Sequence, residues 1–159
     1  MANVVVRQGN VEDITGIFNL VKELASYENA LDELTNTEQR MREDGFGDKP
    51  YFYTFVAESN QQIIGVASYY FSYSSWKGKS MYVDDLIVTE EYRHTGVGRA
   101  LFKACIEEAK HQQVYKLHWQ VLDWNASAID FYKKVGATFD AEWINCKLLY
   151  DQIQSIRIE

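Results

Sequence analysis

Tyr82-Val83-Asp84-Asp85-Leu86-Ile87-Val88-Thr89-Glu90-Glu91-Tyr92-Arg93-His94-Thr95-Gly96-Val97-Gly98-Arg99-Ala100-Leu101-Phe102 is the stretch that decides the fold of this chain. The apolar residues from Met81 to Val88 predict a strand. Glu90 and Glu91 mark a charged turn, and Gly96 with Gly98 predicts a loop opening a helix. Glycines there let the backbone approach a ligand closely. The first turn of the helix leaves N–H groups without partners, which suits an anion such as a pyrophosphate. Asp84 and Asp85 lie just upstream, so the expectation is a phosphate cradle beside an acidic pocket.

Downstream, Leu101, Phe102, Cys105, Ile106 and Ala109 share one face of a helix predicted over 96–112, and Lys116 to Val121 reads as the next strand. A helical connection makes the strands on either side of it parallel. Asn125 caps a further helix ending at Gly136, a C′ glycine, and Glu142 to Tyr150 reads as a last strand before a patternless tail to Glu159. Upstream, Tyr51–Glu58 and Ile63–Ser72 flank the polar turn 59–62 as an antiparallel hairpin. A polar connection over 74–79 leads into the Met81–Val88 strand.

At the N-terminus, Val4 to Arg7 predicts a strand. Asn10 caps a helix carrying Ile14, Ile17, Phe18, Val21 and Leu24 on one face, which fades over 26–29. Thr35 with Glu38 forms a capping box for a short helix ending near Asp44, broken by Gly45 to Pro50. The order is β-α-α-β-β-β-α-β-α-β. This is an α/β chain, a mixed central sheet with helices on both faces.

The 159 residues are expected to form one domain, 1–159, and 47% apolar content is ample for its core. A net charge of −7 disfavours a nucleic acid or an anionic membrane as partner and fits a cationic one. Cys105 and Cys146 lack metal or disulfide spacing and read as buried free thiols. The start, Met-Ala-Asn-Val-Val-Val-Arg, lacks a signal-peptide core, and no apolar run reaches spanning length, so a soluble cytoplasmic protein is expected.

Taken alone, Arg93-x-x-Gly96-x-Gly98 is weak evidence, since a tight turn with no ligand fits it as well. It is neither a P-loop, lacking Gly-Lys-Ser/Thr, nor a dinucleotide fingerprint. The second constellation is Asp123-Trp124-Asn125-Ala126-Ser127-Ala128-Ile129-Asp130-Phe131-Tyr132-Lys133-Lys134-Val135-Gly136-Ala137. Together the two resemble the GCN5-related N-acetyltransferase (GNAT) superfamily. Within it the chain is most similar to the diamine (spermidine/spermine) and thialysine acetyltransferases, through Lys22 to Ala25, Tyr27-Glu28, Glu43 to Gly47, Tyr69-Tyr70-Phe71, Trp76, Gly78-Lys79, Tyr82 and Asp84-Asp85. Val121 to Asn125 leans toward the thialysine branch.

The resemblance implies acetyl-CoA as co-substrate and no metal. Its pyrophosphate would lie on the backbone amides of His94, Thr95, Gly96, Val97, Gly98 and Arg99, with Arg93 at the mouth of the loop. Leu86, Ile87 and Val88 would pair with the pantetheine arm, and Asn125, Ala126, Ser127 and Ala128 would hold the other flank. Tyr132 would protonate the departing thiolate, and the Leu86 N–H would polarise the thioester carbonyl. His94 and Arg99 replace the small residues usual at their positions, which an amide cradle tolerates if both side chains point outward.

On the acceptor side the resemblance implies Asp84 as base through a water, with Tyr27, Glu28, Asp85 and His118 around the substrate. Strand alternation predicts Asp84 and Asp85 on opposite faces, so that one of them meets the amine. An amino-acid acceptor also needs a cation for its carboxylate, for which Lys77 or Lys79 is available. The expected reaction is direct attack in a ternary complex; Cys105, mid-helix on the buried face, is a poor nucleophile. A protein lysine or N-terminal acetyltransferase and a non-catalytic CoA-binding sensor are the alternatives. A homodimer is expected from the close relatives.

Overall fold

The structure, a computed structural model, describes residues 3–157. The expectations for Met1, Ala2, Ile158 and Glu159, at the ends of the leader and tail readings, lie outside them. The chain divides into two compact units, residues 1–120 and 121–159.

The first unit is a five-stranded sheet, β1 (Val5–Gln8), β2 (Tyr53–Ser59), β3 (Gln62–Ser74), β4 (Gly78–Val88) and β5 (Lys116–His118), in sequential order. The first four strands pair antiparallel and β5 lies parallel to β4, as the helical connection requires. Asn60 and Gln61, with φ of 49° and 63°, make the two-residue turn that joins β2 to β3. Two positive φ values match that turn to the twist of the strands.

α1 (Ile14–Tyr27) and α2 (Glu38–Phe46) cover one face of the sheet, and α3 (Val97–His111) covers the other. Strand alternation divides the core between them. Val56, Val66 and Ile87 meet Ile14, Ile17, Phe18 and Met41 on the α1 side. Ala57, Ala67, Tyr69, Met81 and Val83 meet Val97, Leu101, Cys105 and Ala109 on the α3 side. Fully burying an aliphatic side chain contributes about 1.5–3 kcal/mol, so each helix is held by several such groups.

Two helix starts differ from expectation. Asn10 caps a 3₁₀ turn over Val11–Asp13, which then runs into α1. α2 is capped by Thr37, whose Oγ1 accepts the Arg40 N–H, in place of the expected Thr35. Both Thr-x-x spacings precede polar residues, and the threonine beside the first helical residue takes the cap.

The second unit holds α4 (Ala126–Lys134) and a short α5 (Tyr150–Ser155). Asn125 Oδ1 accepts the Ala128 N–H at 3.2 Å, capping α4 as expected. Gly136, with φ +82°, ends it; the Ala137 N–H reaches back to the Tyr132 carbonyl. The strand expected over 142–150 is not formed: that segment is irregular and α5 starts at Tyr150. A strand exists only through a paired neighbour, and the apolar composition of Glu142 to Tyr150 specifies none. Cys146 is accordingly exposed, against the expected burial, while Cys105 is buried.

Candidate active site

β4 carries a bulge at Asp84. Ser68 of β3 stands opposite Asp85 and Tyr69 stands opposite Val83, which leaves Asp84 as the extra residue. One inserted residue resets the alternation. Met81 and Val83 face α3 before the bulge, Leu86 and Val88 pack on that same side after it, and Ile87 faces α1. Counting back from Ile87 and forward from Tyr82 puts Asp85 and Asp84 both on the α1 side of the sheet. The expectation of opposite faces is thereby corrected.

Around them on this face stand Tyr70, Tyr82 and His118. The Tyr70 and Tyr82 rings lie 5.2 Å apart, and Tyr82 meets His118 edge-on at 4.9 Å. The Tyr82 hydroxyl donates to Gln120 Oε1 at 3.0 Å. Burial and then the Asp84 charge raise the pKa of both tyrosines, which stay protonated at neutral pH. Burial and the neighbouring Lys116 lower that of His118, whose Nε2 is buried without a partner among the described residues.

Among the described residues no ion pair reaches these carboxylates. Burial first, then repulsion from Asp84, pushes Asp85 up to about 6, against a Ser68 hydrogen bond that pulls it down; Glu28 adds to the rise. Asp84 is exposed at the surface, yet the strands desolvate its carboxyl enough to move it upward as well. Such a group is a better proton acceptor than a free aspartate. Partial desolvation likewise raises Glu28.

Glu28 and Tyr27 come from the end of α1. The Arg93 guanidinium lies 4.9 Å over the Tyr27 ring and its Nε–H donates to the Val88 carbonyl at 3.1 Å. Arg93 thus ties the wall holding Tyr27 to the loop before α3.

That loop fits an anion. Gly96 has φ +97°, a conformation L side chains rarely adopt, and its carbonyl accepts the first helical bond, from Ala100. The N–H groups of Val97, Gly98 and Arg99 therefore point out of the helix end without intrahelical acceptors. His94 and Arg99 are exposed, leaving the backbone uncovered. Beside the loop, β5 pairs with β4 only from Ser80 to Tyr82. From Val83 to Val88, no strand of the described residues lies along that edge of β4, which is open to an extended polar ligand.

Leu86–Val88, Arg93–Arg99, Tyr27, Glu28, Asp84, Asp85 and His118 all belong to the first unit. Asn125–Ala128 and Tyr132 belong to the second, where Asn125 is the α4 cap and Tyr132 is buried with Phe131 5.3 Å away. Lys79 is turned to the α3 side, bonded to Gln112 and 4.4 Å over the Phe71 ring, so it does not supply the expected partner for an acceptor carboxylate. Lys77 sits in the exposed β3–β4 turn beside Trp76, which is 89% exposed. Ser68 escaped the sequence reading; only the bulged register reveals it. Tyr70 and Tyr82 were visible by alternation but had no role. Among the described residues no cluster of His, Cys, Asp or Glu could hold a metal, and no helix is long and apolar enough to cross a membrane.

The acetyltransferase (GNAT) family matches residues 17–137. Thialysine N-epsilon-acetyltransferase of Bos taurus is 39% identical over 145 residues, 86% of this chain and 85% of that protein. Spermidine/spermine N(1)-acetyltransferase-like protein 1 of Homo sapiens is 38% identical over 139 residues, 83% of this chain and 20% of that protein. An aminoglycoside N-acetyltransferase solved in complex with CoA superposes with a TM-score of 0.72 over 93% of this chain and 96% of that one, at 15% identity.

Proposed function

This chain belongs to the acetyltransferase (GNAT) family, and on that premise we propose that it acetylates a primary amine of a small cationic acceptor, a diamine or polyamine or a thialysine-like amino acid, by direct attack in a ternary complex. The observation that carries this reading is the β4 bulge, which gathers Asp84 and Asp85 on one face with Glu28 near and, among the described residues, no cation paired to any of them.

Acetyl-CoA supplies the acetyl group as a thioester. The N–H groups at the start of α3 would hold its pyrophosphate, and the open edge of β4 at Leu86, Ile87 and Val88 would pair with its extended arm; Asn125 to Ala128 are the candidates of the second unit for the same cofactor. The Leu86 N–H is placed in this reading to polarise the thioester carbonyl.

An alkyl ammonium with a pKa of about 10.4 has roughly one molecule in 2,500 deprotonated at pH 7, a penalty of about 4.6 kcal/mol. The acidic pocket captures that cation, and Asp84, relayed by a water, takes its proton before the nitrogen attacks. Asp85 and Glu28 supply further negative charge, while Tyr27, Tyr70 and Tyr82 line the pocket with rings suited to a cation. His118 is neutral and offers a nitrogen to an ammonium N–H. Tyr132 is in this reading the candidate acid, a phenol being able to give its proton to the leaving sulfur. Cys105 takes no part, since burial pushes its thiol up to about 12.

Residues 1–159 act in this reading as one acetyltransferase domain. A homodimer belongs to this reading, and exposed Tyr73 and Trp76 are compatible with it. Sedimentation equilibrium checks the dimer. Thiol release from acetyl-CoA with spermidine, spermine, putrescine, thialysine and lysine tests the activity: turnover of at least one is expected. CoA binding without release for any amine rejects the proposal. Tyr132→Phe should lower turnover with acetyl-CoA affinity nearly unchanged, and an unaltered rate at saturation removes its acid role.

A further inference from the structure

Ser68 is bonded to Asp85 twice. Its hydroxyl donates to Asp85 Oδ2 at 2.8 Å, and its oxygen accepts the Asp85 N–H at 3.1 Å. It is only 6% exposed and stands opposite Asp85 at the step where the β3–β4 register shifts. A strand interior favours β-branched residues, and a buried hydroxyl is costly unless bonded. Ser68 meets that cost through Asp85. Its two contacts engage the backbone and one carboxylate oxygen, and Oδ1 has no partner among the described residues.

We propose that Ser68 is a positioning residue for the acceptor: it secures the bulge and fixes the Asp85 side chain, so that Asp84 and Asp85 present together to one ammonium group. It touches Asp85 and acts only through it. The proposal rests on the acetyl transfer to a cationic amine proposed above. The groups that act on Asp85 are Asp84 and Tyr82 on β4 and Glu28 at the end of α1, with Tyr70 and His118 beside the Tyr82 ring. The carboxylates among them disfavour its ionised form, whereas the Ser68 hydroxyl favours it. Without that hydroxyl Asp85 holds its proton to higher pH and is free to rotate.

The experiment compares wild type, Ser68→Ala and Ser68→Thr. It follows the Asp85 carboxyl carbon by ¹³C NMR titration, together with steady-state kinetics on the amine that the thiol-release screen identifies. Ser68→Ala should move the Asp85 midpoint upward by about one unit and raise the acceptor KM about tenfold, the scale of a hydrogen bond to a charged group. The KM for acetyl-CoA should change less than about twofold, because the donor groups are untouched. Ser68→Thr keeps the hydroxyl and should restore both values.

An unmoved midpoint in Ser68→Ala, or a Ser68→Thr that behaves like alanine, overturns the role of Ser68 alone. A midpoint that moves in a protein that acetylates no amine overturns the acetyl-transfer reading, and this proposal with it.

Discussion

Carboxylates gather at two places in the first unit and are treated in opposite ways. At the start of the sheet, Arg7 grips Asp13 with two N–H groups at 2.7 and 2.8 Å and Glu58 with two more at 3.0 and 2.7 Å. Asp13 is 7% exposed and also accepts the Asn10 N–H at the entry to α1. The Arg7 hydrogen bond holds its carboxyl below the usual range. At the bulge, by contrast, no salt bridge among the described residues reaches Asp84, Asp85 or Glu28, and burial raises all three. The first cluster stabilises the fold. The second carries raised carboxylates with no ion-pair partner among the described residues, and it is the cluster that the proposed function gives to the cationic acceptor.

The comparison can be broken by substitution. Asp84→Asn should have the largest effect on turnover, lowering kcat for the amine about 100-fold, the scale of general-base catalysis. Its Tm should stay within about 1 °C, because an exposed surface substitution rarely matters to stability. Asp13→Ala should do the reverse. Breaking a buried pair costs about 3–5 kcal/mol, which the part-exposed Arg7 reduces to about 2 in chemical unfolding, and turnover per folded molecule should not change.

Asp85→Asn should stabilise the protein at pH 7 by about 1 kcal/mol while raising the acceptor KM, since it removes a poorly solvated charge. The pH dependence separates the clusters more finely. Asp85 is raised, so its contribution favours folding below the unfolded value and is lost as pH rises through about 6. The stability gap between wild type and Asp85→Asn should therefore close as pH falls from 7 toward 4. Asp13 is lowered, so its contribution is present above the unfolded value of about 3.9 and is lost as pH falls through its folded value. The Asp13→Ala gap should persist to pH 4 and close only below it, as urea titrations at each pH would show.

Much of this fold is legible in the sequence because its signals are local. Asn125 before α4, Gly136 after it and the Asn60-Gln61 turn each announce themselves without reference to the rest of the chain. The loop before α3 is legible for the same reason, since a glycine loop at a helix start is a contiguous stretch. The bulge at Asp84 is not. Whether a strand alternates strictly depends on the residue opposite, and nothing in Tyr82 to Val88 identifies Ser68 as the partner of Asp85. The strand expected over 142–150 failed similarly: its apolar residues are real, but pairing requires an edge that local sequence cannot supply.

The central claim is that the bulge makes Asp84 and Asp85 one binding surface, and a double-mutant cycle tests it most directly. The measurement is kcat/KM for the acceptor amine at pH 7.5 in wild type, Asp84→Asn, Asp85→Asn and the double variant. Residues sharing one ligand couple, so the double variant should lose less than the product of the single losses, with an interaction of at least about 1 kcal/mol, roughly fivefold. Strictly multiplicative losses would contradict the account and return the two carboxylates to separate faces.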